Sequence, residues 1–167
     1  MLILITGGIK SGKSRRALEI AKSEWAFPVS FIATAEAMDE EMKRRIEKHR
    51  QERKDMAGGG YITIEEPLEL DKAIAAAGNR ALVDYIPMWV NNLMYYKREE
   101  DFDRILGAFL LNAKDCIVVT NETGMGNIPF DEHTRRYNML LAEANRRVAA
   151  AADRLELMVC GIPLRVK

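Results

Sequence analysis

The sequence predicts an α/β fold in which a mostly parallel sheet is flanked by helices, and three observations predict it. An apolar run, Leu2-Ile3-Leu4-Ile5, leads straight into Gly7-Gly8-Ile9-Lys10-Ser11-Gly12-Lys13-Ser14, with the spacing G-x-x-x-x-G-K-S. Downstream, short apolar runs of strand length alternate with longer amphipathic stretches, the pattern of repeated strand–helix units. A later run, Arg80-Ala81-Leu82-Val83-Asp84, ends in a carboxylate where a parallel strand would reach the ligand edge of the sheet.

The first element carries the clearest chemistry. The apolar run is the opening strand, and the glycines of the following loop let the backbone curl so that successive N–H groups point at an anion. Lys13 adds a point charge, and the Ser14 hydroxyl can sit on Mg²⁺. A helix over Ser14–Ala26, with Ala17, Leu18, Ile20 and Ala21 at helical spacing, contributes its positive end. A strand before the loop and a helix after it are the context that separates a phosphate-binding loop from an ordinary glycine turn.

Length and composition narrow the class. A chain of 167 residues fits a single domain spanning 1–167, with enough length for a substantial core. The 25 basic residues balance the 25 acidic ones, so nothing at whole-chain level favours a nucleic-acid partner. Cys116 and Cys160 lie in apolar, strand-like runs without metal-ligand spacing, and both are expected to be buried thiols in a reducing cytosol. No window approaches a membrane span and the N-terminal run is too short for a signal core, so the expected location is cytoplasmic.

The remaining elements follow in order. Phe27-Pro28 closes the first helix, and Val29–Ala33 is a second strand that gives out at Thr34-Ala35, where Thr34 is either a ligand contact or a helix cap. Met38 to about Arg53 is a charged helix whose apolar stripe, Met38, Met42 and Ile46, is too narrow for deep packing. Arg45, His49 and Arg53, spaced four apart, share one face of it. Two flanking cations disfavour a third charge on the imidazole, which suits a neutral nucleophile facing a nucleotide; the other reading is a solvated helix with an incidental histidine.

Met56-Ala57-Gly58-Gly59-Gly60 is a turn, Tyr61–Ile64 a strand and Pro67–Ala77 a crossover helix. Asp84, closing the strand Arg80–Asp84, is placed to order Mg²⁺ directly or through water, or is an ordinary strand-end aspartate. Met88–Tyr96 is core-forming, Glu99–Asn112 a helix and Asp115–Thr120 a strand. The loop Asn121-Glu122-Thr123-Gly124-Met125-Gly126 lies at that strand's end and either approaches a ligand or is plain surface. His133–Ala152 is the last long helix, Arg154–Val159 a strand, and Gly161-Ile162-Pro163 turns the chain into a short terminal strand, making a C-terminal hairpin.

Taken together, several of these segments resemble the bifunctional adenosylcobinamide kinase / adenosylcobinamide-phosphate guanylyltransferase family of cobalamin biosynthesis. The resemblance runs nearly end to end, through Thr6-Gly7-Gly8-Ile9-Lys10-Ser11-Gly12-Lys13-Ser14, Ile32-Ala33-Thr34-Ala35, Asp39-Glu40-Glu41-Met42, Arg45-Ile46-x-x-His49-x-x-x-Arg53, Thr63-Ile64-Glu65, Trp89-Val90-Asn91-Asn92-Leu93, Thr120-Asn121-Glu122-x-Gly124-Met125-Gly126, Asn145, Ala152-Asp153 and Gly161-Ile162-Pro163. The loop alone is common to many nucleotide-binding proteins; its combination with the His49 and Asn121-Glu122 segments is far more specific.

The resemblance implies a P-loop NTPase of RecA-like type, assembled as a homotrimer, with two reactions on one scaffold. The γ-phosphoryl of ATP or GTP passes to adenosylcobinamide with help from Lys13 and from Mg²⁺ on Ser14 and Asp84. GMP then passes from GTP to adenosylcobinamide phosphate through a covalent intermediate on His49. It further implies nucleotide contacts from Gly7, Gly8, Ile9, Lys10, Ser11, Gly12, Lys13, Ser14, Ala33, Thr34, Ala35, Arg45, Arg50, Arg53, Glu65 and Asp84. Departures from the family pattern are Asp84-Tyr85-Ile86-Pro87 in place of D-C-L-T, Tyr61 in place of tryptophan, and Tyr137-Asn138-Met139-x-x-Ala142-x-x-Asn145-Arg146 in place of F-R-D-x-x-G-x-x-N-Q. The last change bears on corrinoid handling or on one of the two activities and keeps open a small-molecule kinase without guanylyl transfer; because phosphate loops also drive conformational switches, a non-catalytic nucleotide-responsive module is the other alternative.

Overall fold

The alternation of apolar runs and amphipathic stretches resolves into one sheet. The computed structural model describes residues 1–37, 40–57, 60–126 and 128–167, and it describes side chains throughout these except those of Arg45, Glu52, Arg53, Met56 and Ala57. The strands are β1 (Leu2–Gly7), β2 (Val29–Ala33), β3 (Tyr61–Glu65), β4 (Arg80–Asp84), β5 (Asp115–Val119), β6 (Arg154–Val159) and β7 (Ile162–Arg165). The helices are α1 (Lys13–Glu24), α2 (Glu40–Ala57), α3 (Leu70–Ala76), α4 (Ile86–Tyr95), α5 (Phe102–Asn112) and α6 (Glu132–Ala151).

The strand order is β3-β2-β4-β5-β1-β6-β7, with every neighbouring pair parallel except the terminal β6–β7 hairpin. Strand β5 therefore lies between the strand that feeds the phosphate loop and the strand that ends at Asp84. Burial on both faces explains why the central strands are continuous apolar runs. Alternate residues of β1 serve opposite layers: Leu2 and Leu4 pack with α3–α6, and Ile3 and Ile5 pack with α1. Trp89, wholly buried, stacks on Phe102 at 5.4 Å and donates its indole N–H to the Leu68 carbonyl at 2.7 Å. The expected core role of the Met88–Tyr96 segment is met by Trp89, Val90, Leu93 and Met94 of α4, whereas Tyr96, just past the helix, is exposed.

Several boundaries differ from the sequence-based expectation. Helix α3 begins at Leu70 rather than Pro67, because the Glu66 carboxylate accepts from the Leu68 and Glu69 amides and holds a turn ahead of it. Helix α1 ends at Glu24, before Phe27-Pro28, and the Glu99–Asn112 segment opens with a 3-10 turn over Glu99–Asp101. Cys160 was expected to be buried; it is exposed, at φ 51° in the turn between β6 and β7, where the chain reverses at the sheet's edge. Cys116 is buried in β5, and burial pushes its thiol pKa up, keeping it protonated.

Candidate active site

The phosphate loop is built by backbone geometry. Gly7, at φ 144°, has no room for a side chain: a Cβ there would lie 2.5 Å from the Met158 carbonyl oxygen of β6. Gly12 caps α1 at φ 94° without any side-chain cap, and the first turn carries no acidic residue. The opening amides of α1 are thus available to an anion. Lys13 is 8% exposed, with its Nζ donating to the Gly8 carbonyl at 2.6 Å. Burial lowers the pKa of its ammonium from the usual lysine value, and the Asp84 charge opposes that shift. Ser14 Oγ donates to Asp84 Oδ1 at 3.2 Å, bringing together the two oxygen groups expected to hold Mg²⁺.

The C-terminal hairpin braces this loop. Glu156 of β6, 3% exposed, accepts from both Nε (2.8 Å) and Nη2 (3.1 Å) of Arg16 on α1, and Arg154 pairs with the same carboxylate. The Arg16 bond leads in holding the Glu156 carboxyl below the ordinary glutamate range. The Gly161 amide donates to the Ser11 carbonyl at 3.1 Å, so the hairpin turn touches the loop itself.

A cleft of about 960 Å³ opens at the carboxyl ends of the strands. Its walls include Ile9–Ser14, Ala33, Ala35, His49, Arg50, Glu65 and Asp84. The structure therefore brings the phosphate loop and the histidine helix to one cavity. Gly7, buried, and Gly8, exposed, are not among the lining residues. Thr34 is not part of the lining: it is fully buried, its hydroxyl donates to the Tyr85 carbonyl at 2.8 Å and accepts from the Tyr85 amide, and it caps no helix. The fully buried Asn92 secures the same corner by donating to the Thr34 carbonyl at 2.8 Å. Arg50 and Glu65 both reach the cleft and form an ion pair with each other. The side chains of Arg45 and Arg53 lie outside the described residues, and with them the expected guanidinium–imidazole stack.

Sequence reasoning missed several walls of the cleft. Arg44 and Lys48, four apart on α2, line it and add positive charge beside His49; the i, i+4 spacing that singled out Arg45, His49 and Arg53 was equally present in this neighbouring pair. Phe31, Tyr85 and Met88 supply an apolar wall, and Asn121, from the loop whose sequence allowed either ligand approach or plain surface, closes the β5 end. Asn121 is held from behind, since Asn145 of α6 donates to its carbonyl at 2.8 Å while accepting from the Thr120 hydroxyl at 2.6 Å. The Asn121–Gly126 loop is thus partly cleft wall and partly surface.

Comparison with known proteins bears on the same features. The family described as cobinamide kinase / cobinamide phosphate guanyltransferase matches residues 3–166. The bifunctional adenosylcobalamin biosynthesis protein CobP of Pseudomonas aeruginosa is 37% identical, over 98% of this chain and 96% of that protein. The corresponding protein of Escherichia coli, CobU, is 32% identical over the full length of both. Among solved structures, the flagellar accessory protein FlaH of Methanocaldococcus jannaschii shares the fold, with a TM-score of 0.51 at 15% identity, over 99% of this chain and 77% of that one.

Proposed function

This chain belongs to the cobinamide kinase / cobinamide phosphate guanyltransferase family and is an enzyme of both activities, and we propose that it performs the two in one cleft of a single domain. The observation that supports this reading is the cavity shared by the phosphate loop and His49.

In the kinase reaction the loop amides and Lys13 hold the nucleotide's phosphates, and the γ-phosphoryl of ATP or GTP passes to the aminopropanol hydroxyl of adenosylcobinamide. The low exposure of Lys13 strengthens its attraction for charge that builds on the transferring oxygens. Ser14 Oγ and the Asp84 carboxylate are hard oxygen donors already in hydrogen-bond contact, a set that fits Mg²⁺, which prefers one or two protein oxygens plus substrate phosphates. When bound there, Mg²⁺ supplies charge neutralisation on the phosphate oxygens.

In the transferase reaction an imidazole nitrogen of His49 bonds to the α-phosphorus of GTP as the bond to the bridging oxygen breaks and pyrophosphate leaves. The phosphate of adenosylcobinamide phosphate then attacks the same phosphorus, freeing His49 and giving adenosylcobinamide-GDP. A covalent intermediate divides one hard displacement into two in-line steps. Arg44, Lys48 and Arg50 surround His49 with charge suited to the departing pyrophosphate. We assign the other nucleotide contacts to the loop, to Ala33 and Ala35 at the end of β2, and to Glu65, with Arg45 and Arg53 on the same helix, and take the working enzyme to be a cytoplasmic homotrimer.

The test is incubation with Mg²⁺ and GTP labelled at the α-phosphorus. Acid-labile, base-stable label on the wild-type protein, absent from His49→Ala, is the expected result. Label that survives in His49→Ala contradicts the assignment.

A further inference from the structure

The carboxyl edge of the sheet carries an exposed apolar rim that the phosphate chemistry does not use. Ile9 lines the cleft yet is 81% exposed; Met125, Ile128 and Phe130, in the segment joining β5 to α6, stand in water, with Phe130 at 102%. This segment is tied at both ends. The Glu122 amide donates to the Gly7 carbonyl at 3.3 Å, fastening its start to the phosphate loop, and the Glu122 carboxylate accepts from the Gly124 amide at 2.7 Å. At its far end Asp131 caps α6 by accepting from the Thr134 amide at 2.7 Å, and the Arg135 guanidinium donates to the carbonyls of Pro129 and Phe130. The backbone under Phe130 is therefore held while its ring is displayed. Met139, one turn from Arg135 on the same face of α6, is likewise exposed.

The topology places this segment on the same carboxyl edge of the sheet as the cleft. Asn145 meets Thr120 and Asn121 at the end of β5, so the thirteen residues of α6 before it reach up to about 20 Å past the sheet edge. Exposed large apolar side chains gathered on the same sheet edge as a polar cleft suit a docking site. The occupant follows from the chemistry of the proposed kinase, on which this inference rests. With nucleotide filling the cleft, an acceptor hydroxyl can reach the γ-phosphorus only from the mouth, and an acceptor much larger than its reactive arm must leave its bulk outside. A corrin ring, edged with methyl groups and short amide arms, presents broad apolar faces. The segment leaves the sheet at Asn121, which lines the cleft as Ile9 does, and its Glu122 amide is bonded to the Gly7 carbonyl of the phosphate loop.

We propose that Met125, Ile128, Phe130 and Met139 form the surface on which the corrin ring of the acceptor rests, with its aminopropanol arm directed to the phosphate loop.

Equilibrium dialysis of cobinamide, followed by its visible absorbance, against wild-type protein and an Ile128→Ser/Phe130→Ser double variant tests this directly. Guanylylation of His49 by α-labelled GTP reports that the variant is folded and its nucleotide site intact. The expected result is at least a tenfold weaker cobinamide Kd and a matching rise in kinase KM, with labelling and sedimentation mass unchanged. Equal Kd values for the two proteins overturn the proposal. So does an altered sedimentation mass with unchanged Kd, which would make the rim a contact between copies of this chain. Wild-type protein that binds cobinamide through this surface without phosphorylating it leaves the surface standing and removes the kinase reading instead.

Discussion

The phosphate loop and the histidine helix face the same cleft but are held in opposite ways. The loop is locked into the sheet: Gly7 presses on β6, Lys13 is nearly covered, Ser14 reaches Asp84, and Glu156 clamps α1 from a buried position. Helix α2 is predominantly charged, and its main neighbours are α1 and β3 along one side. Its cleft-facing apolar residues, Met42 and Ile46, are only half-buried. The difference suits the two chemistries. Phosphoryl transfer depends on preorganised charge, which a rigid cradle provides, whereas a nucleophile that is modified, carries a nucleotide and then surrenders it benefits from a support that can shift.

The contrast can be broken from either side. Lys13→Ala should reduce kinase turnover by about 10²–10³-fold, as expected for removal of one preorganised charge at the phosphates, while circular dichroism stays unchanged. Removing the brace should act on the fold. Glu156→Ala removes the buried carboxylate that Arg16 and Arg154 share, leaving them only the more exposed Glu19 and Glu24, and is expected to cost about 3 kcal/mol, read from denaturant unfolding. Because the Glu156 carboxyl is held below its ordinary value of 4.5, its stabilisation is full above that pH and is lost as pH falls through the folded-state value. Glu156→Gln should flatten that acid-side loss, which unfolding midpoints measured between neutral and acid pH will show. On the helix side, the Arg50–Glu65 pair is substantially exposed, so Arg50→Ala should change stability by less than about 1 kcal/mol while weakening GTP labelling of His49. An equal loss of stability in Glu156→Ala and Arg50→Ala would erase the distinction between the regions.

How much of this was legible in the sequence follows the same division. Strands β2, β4 and β6 begin and end where the sequence places them; in β2 and β4, burial of the central residues on both faces leaves little choice of residue. The loop was legible because its chemistry depends on backbone freedom and one lysine at fixed spacing. Thr34 was ambiguous, since a threonine at a strand end reads alike whether it meets ligand or backbone; only the fold brings the Tyr85 peptide to it. Cys160 misled because its apolar neighbours belong to a sheet edge, which local composition does not reveal. The apolar wall of Phe31, Tyr85 and Met88 is assembled by tertiary structure across long sequence separations, and no local pattern announces it. Arg44 and Lys48 were hidden by abundance, since 12 of the 18 residues of α2 are charged.

The central claim is that one nucleotide anchor serves both reactions, and the most direct measurement is the rate at which α-labelled GTP modifies His49 in Lys13→Ala protein at subsaturating GTP. If the loop presents GTP to the histidine, labelling should slow by at least tenfold and recover in part at high GTP. Labelling at the wild-type rate would mean that His49 draws GTP from a site the phosphate loop does not form, and would contradict the single-cleft account.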